Sequence, residues 1–473
     1  MTGSADVGGR GLPGKYRRVL VVGAGRSGLG AAAVLLGLGR EVVLSDSKNR
    51  AGLPGLTEIE ARGAQLLAPP QGPAHLDGVD LVVKSPGVPG ETPLVEEGRR
   101  RGVPVWSEIE LAYRLFPQPF TAVTGTNGKT TTTALLGHMF RTAGRPVQVL
   151  GNIGLAVTSA AGFLGLDDEL VVELSSFQLE DVHAFRPAAG VLLNLTQDHL
   201  DRHHTMERYL TCKANLFAHQ RPGDQAVLNL DDPAVAALGR GLAAREGGPQ
   251  VTFFSTSGAA QAASRLVGRR LYLSGHDALG VEELALRGLH NVENCLAAAT
   301  AGLARGLGME AVIEALRTFS GVPHRLQVAG MVAGVAYVND SKATNVEATL
   351  KALGAYPHRT HLIAGGRDKG SDYRPIARVC AAACRAVYLV GEAAPLIREA
   401  FTRVREEEGL SYLPDPRDCG DLETAVAAAA VAARDGDTVL LAPACASFDQ
   451  YRDFEERGDH FMTIVAGMRS ERG

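Results

Sequence analysis

The sequence predicts an α/β protein of about three domains with mostly parallel sheets. Its 473 residues correspond to three domains of about 150 residues each. Apolar strand-like runs alternate with helical segments along nearly the whole chain, and this alternation is typical of parallel sheets covered by helices. The 56 glycines and the low aromatic content of 5% suit helices that pack closely on such sheets.

Linkers and pattern changes predict the domain limits. Residues 1–16 are predicted to be a flexible N-terminus, because they are rich in glycine and lack an apolar run. A first domain at 17–118 ends in the proline-bracketed linker Phe116-Pro117-Gln118-Pro119. A central domain is predicted at 119–321 and a C-terminal domain at 322–473.

Short apolar runs give the predicted strands, and periodic segments give the helices. The predicted strands lie at 18–22, 41–44, 79–83, 120–123, 170–173, 190–193, 334–338, 361–364, 386–389 and 438–441. The predicted helices lie at 27–38, 132–140 and 291–304, and a small irregular β insert is predicted at about 225–287.

Residues 123–131, with the sequence V-T-G-T-N-G-K-T-T, are the most informative run of the chain. A strand, a glycine loop, Lys-Thr and a helix in this order are typical of a phosphate-binding loop. In such a loop Lys129 would add positive charge, and the Thr130 hydroxyl could ligate Mg²⁺. Val123 stands where the longer form of the pattern has glycine, so the run by itself also fits an ordinary glycine-rich turn.

A second glycine turn follows the first predicted strand. Residues 23–28 read G-A-G-R-S-G, and Asp46 closes the second predicted strand, as in dinucleotide-binding folds. NAD would fit this geometry, and so would the diphosphate of a nucleotide sugar. Residues 84–88, K-S-P-G-V, end another strand at the edge where open α/β sheets bind ligands.

Polar residues follow two strands of the central segment. Glu173 ends one predicted strand and His199 follows the next, so both could face one metal–nucleotide centre. Carboxylate and hydroxyl oxygens suit Mg²⁺, whereas histidine is an unusual ligand for this hard cation. Lys213, taken alone, is typical of a surface cation on a helix.

The third segment repeats this pattern with positive charge. Arg325 suits a bidentate phosphate contact, and Lys342 lies beside Asp340 after a strand. Lys369 follows the glycines of another strand end, and Ser447 follows the last predicted strand. Such clusters predict an anionic substrate, for example an amino acid with an extra carboxylate.

Bulk properties argue against several classes of protein. The net charge of −4 gives no reason to expect a nucleic-acid partner. A secretory signal peptide and an uninterrupted run of 18 apolar residues are both missing, so neither secretion nor a membrane partner is expected. The six cysteines lack metal-ligand spacing, which favours a reducing, cytoplasmic compartment.

Taken together and in this order, the motifs resemble those of the Mur ligases, the ATP-dependent enzymes that add amino acids to peptidoglycan precursors. The runs that carry the resemblance are 124–131, 173–179, 194–202, 288–294, 323–325 and 339–345. Residues 442–451 and 454–458 look like those of the D-glutamate-adding member, and the Asp-Asn-Pro-Arg run of the diaminopimelate-adding member is missing. The resemblance covers residues 17–468.

The resemblance implies a role for each domain and a set of site residues. The first, Rossmann-like domain would bind UDP, the central P-loop domain ATP, and the third, Rossmann-like domain the amino acid. The UDP-substrate residues would be Gly25, Arg26, Ser27, Gly28, Asp46, Ser47, Ser85 and Asn152. The ATP residues would be Gly125, Thr126, Asn127, Gly128, Lys129, Thr130, Thr131, Asn294, Arg325 and Asp340. The D-glutamate residues would be Lys342, Thr344, Lys369, Ser447 and Phe454.

The implied reaction joins D-glutamate to UDP-N-acetylmuramoyl-L-alanine through an acyl phosphate, in a cytoplasmic and monomeric enzyme. Lys129, His199 and Lys213 would be its catalytic residues. Two Mg²⁺ ions would be held by Thr130, Glu173, His199 and Lys213. The family carries a carbamylated lysine at the position of Lys213, so the same modification is expected here.

Three other interpretations remain open from the sequence. One is a sibling ligase of the same fold, such as a folylpolyglutamate synthase or another muramoyl ligase. Another is an NAD-dependent dehydrogenase fused to an ATPase module, because residues 23–28 would fit it. The third is a non-enzymatic nucleotide-binding switch, although a switch would not need the polar clusters of the third segment.

Overall fold

A computed structural model describes residues 12–48, 50, 53, 55–67, 72–286, 288–368, 370–410 and 412–470. The chain forms two compact units, Met1–Phe319 and Ser320–Gly473. The predicted boundary at 118/119 lies inside the first unit. The predicted flexible N-terminus up to residue 11, and the predicted D-glutamate residue Lys369, lie outside the described residues.

The first unit begins with a five-stranded parallel sheet of order β3-β2-β1-β4-β5. Most predicted bounds agree with it, but the strand predicted at 79–83 begins two residues later and ends at Lys84. The elements are β1 (Arg18–Val22), α1 (Arg26–Gly37), β2 (Glu41–Ser45), α2 (Leu56–Ala61), β3 (Gln65–Leu66), β4 (Leu81–Lys84), α3 (Pro93–Arg100), β5 (Val105–Ser107) and α4 (Glu108–Leu115).

A nine-stranded sheet completes the first unit, with the order β14-β13-β12-β11-β10-β9-β6-β8-β7. Strand β6 lies between β9 and β8, and only the β12-β13-β14 edge is antiparallel. The elements are β6 (Phe120–Thr124), α5 (Lys129–Thr142), β7 (Val147–Gly151), β8 (Glu169–Glu173), β9 (Ala189–Leu192), α6 (Leu200–His203), α7 (Met206–Ala214), β10 (Gln225–Asn229), α8 (Pro233–Ala244), β11 (Gln250–Ser255), β12 (Ser264–Val267), β13 (Arg270–Leu273), β14 (His276–Gly280), α9 (Leu289–Ala304) and α10 (Met309–Thr318).

The region predicted as a β insert continues this sheet. Strands β10 to β14 extend it beyond β9, and the first two of them pair in parallel with their neighbours. Helix α8 was not predicted, although Asp232 caps it by accepting bonds from the N–H groups of Ala234 and Val235.

The second unit holds a six-stranded sheet of order β15-β16-β20-β17-β18-β19, in which only β15 and β16 pair antiparallel. Buried residues of the sheet and of its helices form two apolar clusters. The elements are β15 (Gln327–Val332), β16 (Val335–Asn339), α11 (Val346–Ala355), β17 (Thr360–Gly365), α12 (Arg374–Ala383), β18 (Cys384–Val390), α13 (Ala394–Glu408), β19 (Arg417–Gly420), α14 (Leu422–Ala432), β20 (Thr438–Ala444) and α15 (Phe454–Ser470).

The central strands are buried on both faces, which explains why they read as continuous apolar runs. All five residues of β6 and all five of β8 are buried. None of the helices that the structure describes is both long and apolar enough to cross a bilayer.

A buried carboxylate ties the two sheets of the first unit together. The Glu110 Oε2 atom on α4 accepts hydrogen bonds from the successive N–H groups of residues 183–185, at 2.9, 3.0 and 3.0 Å. Its Oε1 atom accepts from Arg114 Nε at 2.7 Å. Because a buried carboxylate is costly unless it is hydrogen-bonded, these contacts fix α4 against the loop before β9.

Candidate active site

The glycine loop joins β6 to α5, as the sequence predicted. Gly128 stands just before α5 with φ at +81°, a conformation that side chains disfavour. A Cβ atom there would collide with Asn294 Oδ1. That oxygen also accepts from Thr132 Oγ1 at 3.3 Å. The loop is therefore held between its own helix and α9, which carries Asn294.

Replacing Gly128 with alanine should weaken ATP binding about tenfold or more, because the loop must move away from Asn294. Gly144→Ala is the matched control, since Gly144 also has positive φ (+68°) but has open space around its Cβ position. Titration with a non-hydrolysable ATP analogue measures both affinities. Equal affinities in the two variants would show that the contact with Asn294 does not shape the loop.

Two lysine side chains meet at this loop. Lys129 Nζ donates to the carbonyls of Gly125 at 3.0 Å and Thr126 at 2.7 Å. Lys213 Nζ, from α7, donates to the same Gly125 carbonyl at 2.8 Å. Burial, and secondarily the charge of Lys129, lower the pKa of Lys213 from 10.5 to about 7. Much of the Lys213 amine is therefore neutral near pH 7.

Glu173 lies at the end of β8, beside the strand that leads into the glycine loop. Its side chain is 2% exposed, and its Oε1 atom accepts from Asn152 Nδ2 at 2.8 Å. Its Oε2 atom is buried and has no hydrogen-bond partner among the described residues. A buried carboxylate oxygen without a donor fits a cation such as Mg²⁺.

His199 stands at the start of α6 in a left-handed conformation, with φ at +53°. Its ring lies against Phe177, with the ring centroids 5.0 Å apart. Helix α7 follows, capped by Thr205, and it brings Tyr209 and Lys213 to the same side. Lys213 Nζ lies 4.5 Å from the centre of the Tyr209 ring.

A cavity of about 360 Å³ brings several predicted residues together. Its lining combines the turn after β4 with the glycine loop and with α7. The lining residues are Pro86, Gly87, Lys129, Asn152, Ser175, Ser176, Phe177, His199, Tyr209 and Lys213. A neighbouring cavity of about 480 Å³ shares Gly87, Phe177 and His199.

The first glycine turn is held by its own neighbours. Asp46 Oδ2 accepts from the N–H of Ala24 at 2.7 Å, so this carboxylate braces the turn itself. Ser85 Oγ donates to the Gly23 carbonyl at 2.8 Å. Arg26 Nη1 reaches the Gly154 carbonyl at 3.3 Å, next to the segment that carries Asn152.

Three predicted residues of the second unit, Asp340, Lys342 and Phe454, lie near one end of its sheet. Asp340, just after β16, is 6% exposed, and burial raises its pKa to about 6. Lys342 Nζ lies 5.9 Å from the centre of the Phe454 ring. Ser341 Oγ donates to the Phe454 carbonyl at 2.8 Å, so the loop after β16 is fixed to the start of α15.

Sequence reasoning missed residues whose partners are distant in the chain. Arg457 is 2% exposed and donates to the carbonyls of Ser341, Cys445 and Ala446, so it joins two of the polar strand ends. Asn194 accepts from the N–H of Asn127 at 2.8 Å. Arg457 and Asn194 both lie within runs that resemble those of the Mur ligases. The sequence offered no other indication that these two residues belong to the site.

Comparisons with known proteins find relatives that match nearly the whole chain. Family models match three consecutive regions: the Mur ligase MurD-like N-terminal domain at 17–107, the Mur ligase middle domain at 123–302, and the Mur ligase glutamate ligase domain at 324–445. The UDP-N-acetylmuramoylalanine–D-glutamate ligase of Pelotomaculum thermopropionicum is 44% identical, over 96% of this chain and 98% of that protein. The protein of the same name from Solibacter usitatus is 45% identical, over 95% and 98%.

Solved structures support the fold at lower identity. UDP-N-acetylmuramate-alanine ligase MurC from Thermotoga maritima superposes with a TM-score of 0.53 at 19% identity, over 95% of this chain and 99% of that one. MurF from Acinetobacter baumannii gives a TM-score of 0.54 at 15% identity, over 96% and 93%. The three-domain α/β architecture that the sequence predicts is thereby confirmed.

Proposed function

The chain belongs to the Mur ligase family, and from this premise we propose that it joins D-glutamate to UDP-N-acetylmuramoyl-L-alanine with ATP. The observation that carries the proposal is the identity of 44–45%, over nearly the full length, to ligases named for this reaction. The gathering of Lys129, His199 and Lys213 around one cavity supports it independently. The reaction belongs to peptidoglycan precursor synthesis.

The charges of the reacting groups explain the residues around the cavity. The alanyl carboxylate and the ATP γ-phosphate are both anionic, so positive charge must stabilise their encounter. Lys129 is the first residue of α5, which would face the phosphates, and its ammonium would contribute that charge. The carboxylate oxygen attacks the γ-phosphorus and ADP leaves. The neutral D-glutamate amine then attacks the acyl carbon, phosphate leaves, and the nitrogen loses one proton to solvent as the amide forms.

We propose that Glu173, Thr130 and His199 hold magnesium, with two ions in all. The unpartnered Glu173 Oε2 atom supports this assignment. A bound Mg²⁺ would neutralise charge on the phosphate oxygens. Asn152 would orient the Glu173 carboxylate through the 2.8 Å hydrogen bond to its other oxygen.

Lys213 is proposed to be carbamylated. A neutral amine adds CO₂ and loses a proton to become a carbamate, which carries the negative charge that a metal site requires. The side chain supports this role because it is 1% exposed, lines the cavity, and has a pKa of about 7.

The remaining assignments are proposals for individual residues. Residues 25–28, Asp46, Ser47 and Ser85 would bind the UDP-linked substrate, and Asn294, Arg325 and Asp340 would contact ATP. Lys342, Thr344, Lys369, Ser447 and Phe454 would hold D-glutamate. The enzyme would act as a monomer in the cytoplasm, a compartment with which its six free cysteines are compatible.

ADP release, measured with UDP-N-acetylmuramoyl-L-alanine and a panel of amino acids, tests the proposed reaction. We expect turnover only when that nucleotide and D-glutamate are both present. Turnover with L-alanine or a diaminopimelate in place of D-glutamate would favour a sibling ligase. Reduction of added NAD would favour the dehydrogenase interpretation.

A further inference from the structure

Lys84, the last residue of β4, has a fully buried ammonium group. Its side chain is 0% exposed, and its Nζ atom lies close to three oxygen atoms. These are Glu180 Oε2 at 2.7 Å, the Val88 carbonyl at 3.3 Å, and Asp181 Oδ2, an ion-pair contact at 3.1 Å. Two of these contacts are hydrogen bonds, and the third adds the charge of a second carboxylate.

Both carboxylates are shared with an arginine. Arg99 Nη2 lies 2.6 Å from Asp181 Oδ1, and Arg202 Nη2 lies 2.8 Å from Glu180 Oε2. Arg202 also donates to the Val88 carbonyl at 2.9 Å, so two cations bind the same backbone oxygen. The network thereby connects the five-stranded sheet to the segment that follows β8 and to α6.

The turn at residues 85–88 is fixed from both sides by these contacts. On one side Ser85 Oγ donates to the Gly23 carbonyl at 2.8 Å. On the other, Lys84 and Arg202 hold the Val88 carbonyl. Between these two anchors, Pro86 and Gly87 line the 360 Å³ cavity together with Lys129 and Lys213.

Stability alone does not explain a lysine at this position. Desolvation of a buried ion pair costs about as much as its attraction gains, and well-packed apolar residues often serve stability equally well. What the ammonium adds is geometry, because oxygens of two segments, the turn after β4 and residues 180–181, converge on it. Here the ammonium fixes the wall of the 360 Å³ cavity that Pro86 and Gly87 form.

The same region contains a group of possible metal ligands, and the charges argue against a metal there. Glu180, His203 and Cys212 have ligand atoms within 4.8 Å of one another. Glu180 is already bound by two cations, and His203 Nε2 lies 2.8 Å from Ser176 Oγ. Burial raises the pKa of the Cys212 thiol to about 11, which disfavours the thiolate that a metal requires.

We propose that Lys84 is a positioning residue for the UDP-linked substrate, because its ammonium holds the turn at residues 85–88 against Glu180 and Asp181. The proposal rests on the proposed function, since it concerns the substrate of that reaction. Lys84 touches no reacting atom, and it acts through Pro86 and Gly87. Its loss should therefore affect binding of one substrate and leave the others unchanged.

Lys84→Met keeps an unbranched side chain and removes the charge. We expect its Kd and KM for UDP-N-acetylmuramoyl-L-alanine to rise about tenfold or more, because the cavity wall loses its anchor. The KM for ATP should stay within about twofold, since its binding loop lies on another element. Glu180→Gln, which keeps the size of the side chain, should give a smaller rise of the same kind. Lys351→Met is the matched control, because Lys351 is 65% exposed and pairs with Glu347 one turn away.

Isothermal titration with the nucleotide substrate, steady-state kinetics and thermal melting separate the outcomes. A rise in the Kd and KM for the nucleotide substrate in both variants, without a rise in the KM for ATP, supports the proposal. If Lys84→Met does not fold, the result for Glu180→Gln alone tests it. A lower melting temperature with unchanged substrate Kd would mean a purely structural role and overturn it. If the parent chain turns over and the variants lose ATP and nucleotide binding equally, the proposal fails and the ligase function stands. If the parent chain binds no UDP-linked substrate, both fail.

Discussion

Replacing Lys129 with alanine should lower turnover by about 10³-fold or more, because transferring phosphoryl groups depend on positioned cations. The Lys129 ammonium donates to the carbonyls of Gly125 and Thr126, so it is held at the glycine loop that we propose binds the ATP phosphates. Affinity for the UDP-linked substrate should stay within about twofold, since the glycine turn at residues 23–28 belongs to another sheet. ADP release and direct titration of the nucleotide substrate measure the two quantities separately.

Lys351→Ala is the control, because it removes a lysine side chain that lies on α11 and is 65% exposed. It should retain full turnover. A Lys129→Ala variant that lost both turnover and binding of the UDP-linked substrate would contradict the assignment of separate binding regions. Retention of turnover would contradict the role of the loop itself.

Replacing Lys213 with methionine should abolish turnover and yet stabilise the folded chain in CO₂-free buffer at neutral pH. The folded-state pKa of about 7 lies below the ordinary value of 10.5. Between these values the unfolded chain binds a proton that the folded chain does not, so the free energy of unfolding rises with pH across the window. Below about pH 7 the lysine is protonated in both the folded and the unfolded chain. The folded parent chain then carries the full cost of burying that charge, a few kcal/mol. Methionine does not titrate, so the variant does not carry the cost of burying the lysine charge.

Chemical denaturation at about pH 6 and about pH 10 measures this effect, and the difference between parent and variant should shrink at the higher pH. Native mass spectrometry of the parent chain in bicarbonate should show the added mass of one CO₂, which Lys213→Met should lack. An unmodified mass in the active, Mg²⁺-loaded enzyme would rule out the carbamate. A variant less stable than the parent at both pH values would show that the Gly125 contact outweighs the cost of burial.

Local patterns carried most of what could be predicted from the sequence. The glycine loop follows β6 and precedes α5 as expected, because strand, loop and helix are contiguous and their signals are local. Helix α8 was missed within a region of short apolar runs, although Asp232-Pro233 is a typical helix start. There the runs of neighbouring strands outweighed the capping signal.

Contacts between distant residues could not be predicted in the same way. Lys213 meets Gly125 across 88 residues, and Lys84 meets Glu180 across 96, so no local pattern records either contact. Lys213 entered the candidate site only through the family resemblance. Lys84 was named only as the first residue of the run 84–88, which was predicted to end a strand at a ligand-binding edge, and no role was predicted for its side chain because its burial depends on the packing of two sheets.

The Glu110 carboxylate has a consequence for the order in which the chain folds during synthesis. Its three N–H partners lie 73 to 75 residues further along the chain, so a ribosome makes the acid long before it makes them. Until then the acid has to stay hydrated, and α4 cannot bury it against residues 183–185. Helix α4 therefore reaches its final packing only after residues 183–185 have left the ribosome, although all the strands of the five-stranded sheet precede it in the chain.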